Sequence, residues 1–271
     1  MTDQQKPISP ALYDDQYYLE DNEGCQEYSQ GLDAHIHEKF KRVLDLCPIK
    51  QGDRVLDLGC GRGEMLYYCA KRGASAVGLD YSEAAVRICR QMLAQLPSDS
   101  SGKIQAFVSN IEDYQSTEKF DYIFIIEVLE HMWDWQVESS LAKIRSILKP
   151  DGHLIITTPN YLYQSFLQPV KMTIDLPFRF LKFLFRIPRG KFKPKSWEDF
   201  FQTALKVKVS RGSKNEKMHC NVMTPGRLKK LLKDFDAKIY CEDPSLHPLS
   251  LLLRHWMGRQ IVVVAKLKSG V

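Results

Sequence analysis

Three groups of residues in this 271-residue chain have the types and spacing to do chemistry. The run Asp57-Leu58-Gly59-Cys60-Gly61-Arg62-Gly63 sets an acid ahead of three closely spaced glycines. Glycines at such a turn let the backbone approach a ligand closely. Asp80 ends a short apolar run, where a carboxylate can accept both hydroxyls of a ribose. Glu127-Val128-Leu129-Glu130-His131 carries two carboxylates and an imidazole at i, i+3 and i+4. These three share one face if a helical turn begins there. An imidazole of ordinary pKa can take a proton near neutrality.

A glycine turn alone also fits a nucleotide phosphate loop. The dinucleotide fingerprint G-x-G-x-x-G would need glycine at position 64, where the chain has Glu64. A carboxylate there does not favour a pyrophosphate, and Asp57 suits a ligand with a positive ammonium group.

These residues need a scaffold, and the apolar runs supply one. Arg54–Leu58, Ala76–Leu79, Ile104–Val108, Tyr122–Ile126 and His153–Thr157 read as strands. Between them lie helical stretches: Glu64–Arg72, closed by Gly73; Glu83–Leu96, with Ser82 as N-cap; and Val137–Leu148, stopped by Pro150 and Gly152. The alternation predicts an α/β fold, a doubly wound seven-stranded, mostly parallel sheet with helices on both faces. A helix over Pro225–Asp234 and strands over Ala237–Cys241 and Gln260–Leu267 complete it. Residues 1–48 read as an N-terminal helical cap, helical over 32–47, and 49–271 as the main domain. Residues of about 160–222 fit no strand–helix unit and are expected to form an α-rich insertion or lid after the fifth strand.

Composition narrows the setting. Seven irregularly spaced cysteines without a C-x-x-C pair suit reduced thiols better than a disulfide framework or a zinc ribbon. Residues 1–10 lack the apolar core of a secretory signal, so a cytoplasmic protein is expected. The net charge of +5 is uneven: residues 171–217 hold 13 Lys/Arg and 4 Asp/Glu of the chain's 38 and 33, leaving 25 against 29 elsewhere. Within it, Phe178, Leu181 and Phe185 make an apolar face, and Arg179, Lys182 and Arg186 a basic stripe. Interrupting charges and prolines oppose a membrane span. The pattern fits an interfacial helix on an anionic membrane, with contact through residues 171–195, or equally a solvated lid. The density of Phe and Leu argues against a nucleic-acid surface.

The segments VLDLGCGRGEML, VGLDYS, SNIEDY, FDYIFIIEVLEH and LKPDGHLIITTPN resemble the successive motifs of class I S-adenosylmethionine (SAM)-dependent methyltransferases, in order and spacing, over about residues 50–160. The pattern is most similar to that of quinone-pathway O-methyltransferases. The resemblance implies SAM as cofactor, held by Asp57, Gly59, Cys60, Gly61, Gly63, Asp80, Tyr81, Asn110, Ile111 and Glu127. Asn110 departs from the more common Asp, but its amide can still pair with adenine. The N-terminal segment, with Tyr17 and Tyr18, is expected to cover the cofactor.

The resemblance further implies methyl transfer to a hydroxyl on a small apolar or lipid-linked acceptor. His131 is expected to act as base or steering group, together with Glu130. The E-x-x-E-H run is also similar to that of small-RNA 2′-O-methyltransferases, which use a metal. A divalent metal on Glu127, Glu130, His131 and His219 is therefore a second, less favoured reading, and a non-catalytic SAM-fold binding module a third. His35, His37, His153, His247 and His255 are expected to be surface or packing residues.

Overall fold

A computed structural model of the chain describes residues 6–96, 104–184, 218–243 and 248–269. Seven strands form one sheet: β1 (Arg54–Leu58), β2 (Ser75–Asp80), β3 (Ile104–Val108), β4 (Phe120–Ile126), β5 (Leu148–Pro159), β6 (Phe235–Glu242) and β7 (Gln260–Leu267). Their order is β3-β2-β1-β4-β5-β7-β6. The first five run parallel, and β7 lies antiparallel between β5 and β6. The expected doubly wound, mostly parallel sheet is present. Its strand order reverses beside β1, so the carboxyl ends of β1 and β4 open a crevice there.

The helices are α1 (Cys25–Ser29), α2 (Glu38–Leu46), α3 (Glu64–Lys71), α4 (Glu83–Leu93), α5 (Asp134–Ile147), α6 (Gln168–Leu184), α7 (Pro225–Leu231) and α8 (Pro248–Met257). One apolar cluster fills one face of the sheet, where Val55, Phe124 and Ile155 meet Leu66, Cys69 and Val86 of α3 and α4. A second fills the other, where Leu56, Ile123 and Ile156 meet Val137, Leu141 and Ile144 of α5. Alternate residues of the central strands thus face opposite cores, which explains their continuous apolar runs.

Local chemistry fixes the element ends. Ser82 caps α4, its hydroxyl accepting from the Ala85 N–H at 3.2 Å. Gly63 precedes α3 with φ of +89°, and a side chain there would meet Cys89 Sγ at 2.5 Å. Both conformation and packing demand glycine.

Several elements differ from the sequence reading. Strand β5 starts five residues earlier than expected, because residues after the α5 helix keep extended geometry through Pro150. The start of the insertion is helical, as expected: Tyr163–Leu167 is a π-turn leading into α6. The side chains of Phe178 to Leu184, and all of residues 185–217, lie outside the described residues, so the apolar and basic stripes proposed there do too. Helix α8 was not expected at all. It sits between β6 and β7, where three consecutive leucines obscure any periodicity.

Candidate functional site

The glycine loop leaves β1 and folds back on β2. Gly59 and Cys60 donate their N–H groups to the Leu79 carbonyl at 2.7 and 3.1 Å. Asp80, at the end of β2, then accepts the Gly61 N–H at 3.0 Å and the Ser82 N–H at 2.9 Å. These bonds aim the carboxylate across the crevice and leave lone pairs for a ligand. Among the described residues, only the Tyr18 ring, at 3.6 Å, stands near the place a side chain would take on Gly61.

Two adjoining hollows occupy the crevice, of about 250 Å³ and 100 Å³. They share Gly59, Asp80, Tyr81, Val128 and His131. The larger also has Asp57, Cys60, Gly61, Glu127 and Glu130 on its wall. The smaller is lined by Asn110, Ile111 and apolar strand ends such as Leu58 and Leu79. Gly63 is absent from both walls and serves the turn into α3. The shape suits an elongated ligand with a flat, partly apolar end and a polar, charged end, joined past Asp80.

Charge is concentrated in the larger hollow. Burial raises Asp57 to about 8, assisted by the neighbouring Glu64 and Asp80 charges and opposed by Lys39. Burial also raises Asp80 to about 6, against the backbone N–H groups that favour its ionised form. Glu127 and Glu130 are likewise raised by burial. Crowded, desolvated carboxylates of this kind favour a cationic ligand. Lys39, at the start of α2, is a cation that acts on them, and sequence reading missed it. No motif marks it, since one lysine in a charged helix looks like a solvated residue.

The Glu-x-x-Glu-His run does not form the single helical face that its spacing suggested. Glu127 has φ of +56°, a left-handed conformation that is uncommon for a residue with a side chain. A 3-10 turn, Leu129–His131, follows it. Glu127 therefore turns toward the sheet, where its Oε1 accepts from Gln260 Nε2 at 2.8 Å and Thr157 Oγ1 at 3.1 Å. Glu130 is buried and accepts from Thr158 Oγ1 at 3.1 Å. His131 Nδ1 lies 3.0 Å from the Met218 carbonyl. A carbonyl can only accept, so Nδ1 carries the proton and Nε2 has a lone pair. Burial, with the nearby His219, lowers His131 to about 4.

The segment after the insertion returns to this place. Asn221 donates its N–H to the Glu130 carbonyl at 3.1 Å and its side-chain amide to the Met132 carbonyl at 2.9 Å. His219 is thereby held against His131, with ring centroids 4.9 Å apart. Ligand atoms of Glu130, His131 and His219 lie within 4.8 Å of one another. Glu127, the other metal-ligand candidate, is not in that group.

The N-terminal segment crosses the whole crevice as a strap. Pro7 and Ile8 border the smaller hollow, and Tyr13, Tyr17, Tyr18 and Glu23 the larger one. Trp133 Nε1 donates to the Lys6 carbonyl at 2.8 Å, and Ser82 Oγ to the Tyr13 carbonyl at 2.8 Å. Arg62, inside the glycine loop and 1% exposed, is the deepest anchor. It donates to the Tyr18 and Glu23 carbonyls, both at 2.9 Å, and pairs with Glu64 at 2.6 Å.

Known proteins share this fold. Residues 32–242 match the family model described as a methyltransferase domain. The chain belongs to this family, and its fold is that of the class I, SAM-dependent methyltransferases. Ubiquinone biosynthesis O-methyltransferases from Bradyrhizobium diazoefficiens and Alkalilimnicola ehrlichii are each 32% identical to it, over 129 and 117 residues. The alignments cover 47% and 43% of this chain, and 48% and 46% of those relatives. The chain thus aligns with about half the length of each. A SAM-dependent methyltransferase from Archaeoglobus fulgidus is similar in structure, with a TM-score of 0.53 and 20% identity over 84% of this chain and 92% of that one. So is a TehB-like SAM-dependent methyltransferase from Corynebacterium glutamicum, with a TM-score of 0.51 and 15% identity over 91% and 97%.

The Arg62 pair yields a test of the strap. Arg62→Leu strands Glu64 and should cost about 3–5 kcal/mol in chemical denaturation. Chymotrypsin should also cut faster after the strap tyrosines. Unchanged stability and cutting would show that the strap is held by other contacts.

Proposed function

We propose that this protein transfers a methyl group from SAM to a hydroxyl on an apolar or lipid-linked acceptor. The observation that carries the cofactor assignment is the paired hollow around Asp80. Adenine takes the smaller hollow against Asn110 and Ile111, and Tyr81 borders the ribose. The ribose hydroxyls meet Asp80. The methionine end lies along Gly59, Cys60 and Gly61, with its ammonium toward Asp57 and its carboxylate toward Lys39. Glu127 is held by Thr157 and Gln260 as part of the same wall. The resemblance to ubiquinone biosynthesis O-methyltransferases supports an oxygen acceptor.

Methyl transfer is an in-line displacement, so the acceptor must approach the methyl from the side opposite the leaving sulfur. Glu130 and His131 both border the larger hollow, where the methionine end lies in this reading. Burial disfavours charge on both, raising the acid and lowering the imidazole. His131 Nε2 is the open acceptor for the proton that an acceptor hydroxyl gives up, and the imidazolium so formed requires Glu130 ionised beside it as its counter-charge.

A second reading is favoured by the Glu130–His131–His219 cluster. Two imidazoles and a carboxylate form a donor set that fits a divalent cation. Such an ion would lower the pKa of a bound hydroxyl. This reading also admits a nucleic-acid 2′-hydroxyl as acceptor.

Membrane contact is part of the proposal. No described helix is long and apolar enough to cross a membrane. On the surface, however, Phe166, Val170 and Ile174 recur every fourth residue and are exposed. Helix α8 packs beside the π-turn and exposes Leu252 and Trp256, 75% and 74% accessible. With the basic excess of 171–217, this ridge suits the interface of an anionic bilayer.

Three outcomes follow. Calorimetry should show SAM binding weakened about 30- to 1000-fold by Asp80→Ala, with the fold intact, as expected for losing two charge-assisted hydrogen bonds. Undiminished binding would sink the ribose assignment. After treatment with a chelator, titration with zinc or magnesium should show one equivalent bound per chain, lost in His219→Ala. No uptake by the parent would remove the metal reading. Co-sedimentation with phosphatidylglycerol vesicles should fall at least about tenfold when Leu252 and Trp256 are both changed to Asp. Equal sedimentation would rule that ridge out.

A further inference from the structure

The strap brings an unusual density of tyrosine to the middle of the crevice. Tyr17 packs edge-on against Tyr13 and Tyr18, with ring centroids 5.1 and 5.0 Å away. Tyr13 in turn meets Tyr81 at 5.4 Å and His131 at 5.7 Å. All five side chains border the larger hollow. Tyr17 and Tyr18 are 8% and 4% exposed, so their places are fixed by packing.

Their surroundings are the acids that line the same hollow. The Tyr17 phenol is raised to about 12, by burial first, then by the Glu130 and Asp80 charges, with Arg62 opposing. Tyr17 thus shares one hollow with both Asp80 and Glu130 and feels the charge of each. The Tyr18 ring edge stands over Gly61. A ligand with its ribose on Asp80 and its amino-acid end on the glycine loop must carry the atom joining them past these rings. In SAM that atom is a positively charged sulfur. In the demethylated product, S-adenosylhomocysteine, it is a neutral thioether. The two ligands are otherwise nearly identical, so only a group that responds to charge can tell them apart strongly. Aromatic faces do so, because the ring quadrupole attracts cations.

We propose that the Tyr17 ring, braced by Tyr13 and Tyr18, binds the sulfonium of SAM and thereby sets the ratio of SAM to S-adenosylhomocysteine affinity. The inference rests on the cofactor placement given above. Its consequence lies in turnover. Once the methyl has left, the sulfur is neutral and the ring attraction is gone, so the product is released more readily than the cofactor. Tyr17 is in this sense a specificity residue. It favours the bound cofactor and does not selectively stabilise the transition state, where the sulfur charge is already dispersing.

The test is calorimetric titration of the full chain with SAM and with S-adenosylhomocysteine, for the parent, Tyr17→Leu and Tyr17→Phe. Removing the ring should lower the SAM-to-product affinity ratio about 3- to 30-fold, the range of a desolvated cation–π contact. Tyr17→Phe keeps the ring and should leave the ratio within about twofold of the parent. If Tyr17→Leu fails to fold, Tyr17→Met replaces it, since a flexible apolar chain fills the same space. An unchanged ratio in the ringless variant overturns the proposal while leaving the cofactor assignment standing. A ratio that falls equally in Tyr17→Phe assigns the effect to the hydroxyl and also overturns it. Failure of the parent to bind either ligand would overturn the cofactor reading instead.

Discussion

The buried guanidinium of Arg62 is the constraint on which the rest of the site depends. A charge this deep is costly unless its donors are matched, and here they meet Glu64, two strap carbonyls and Cys25 Sγ. Glu64 starts α3, the Tyr18 and Glu23 carbonyls belong to the strap, and Arg62 itself sits between Gly61 and Gly63. One side chain thus ties the glycine loop, the first helix of the sheet domain and the N-terminal strap into one unit. The crevice wall is built from residues 7–23 as much as from strand ends, so the cleft forms only when these parts are docked together.

The carboxylates impose the second constraint. Asp57 and Asp80 are raised in the fold above their ordinary value of 3.8, to about 8 and about 6. A raised carboxyl supports the fold when protonated and ceases to do so as pH climbs through its folded pKa. The crevice by itself therefore loses stability as pH rises from about 4 to about 8 and carries the full load of its ionised acids above that. A ligand with an ammonium and a sulfonium relieves that load by giving the ionised forms a counter-charge. The site's affinity for a cation and the instability of the empty crevice have the same origin.

Much of this was legible in the sequence, for a physical reason. Strands such as Arg54–Leu58 and Gln260–Leu267 are buried runs between polar breaks, and Ser82 is a cap with one backbone partner; both are local signals. The glycine loop and Asp80 are positions where backbone geometry demands a residue type. The N-terminal strap, expected as a cover with Tyr17 and Tyr18, gave no local signal of how it is held. Its tyrosines are buried against a crevice and not a helix face, so they follow no period. Arg62 reads as a surface charge until its partners, about 40 residues upstream, are seen. Lys39 and α8 were hidden for similar reasons, one by a charged helix and the other by an unpatterned leucine run.

The Glu-x-x-Glu-His run shows how one backbone angle can overrule a spacing argument. At helical φ, Glu127, Glu130 and His131 would crowd two carboxylates and an imidazole onto one face. The left-handed φ of Glu127 costs backbone energy of about 1–3 kcal/mol. That cost is offset by what the turn permits: the Glu127 N–H reaches the Thr157 carbonyl at 3.0 Å, and its carboxylate reaches Gln260 and Thr157 side chains. The two glutamates are thereby divided. Glu127 is fixed to the sheet wall of the larger hollow, and Glu130 stays with His131 and His219. Strain at a single residue separates a carboxylate tied to the sheet from one held beside two imidazoles, which an unbroken helix at the same spacing could not do.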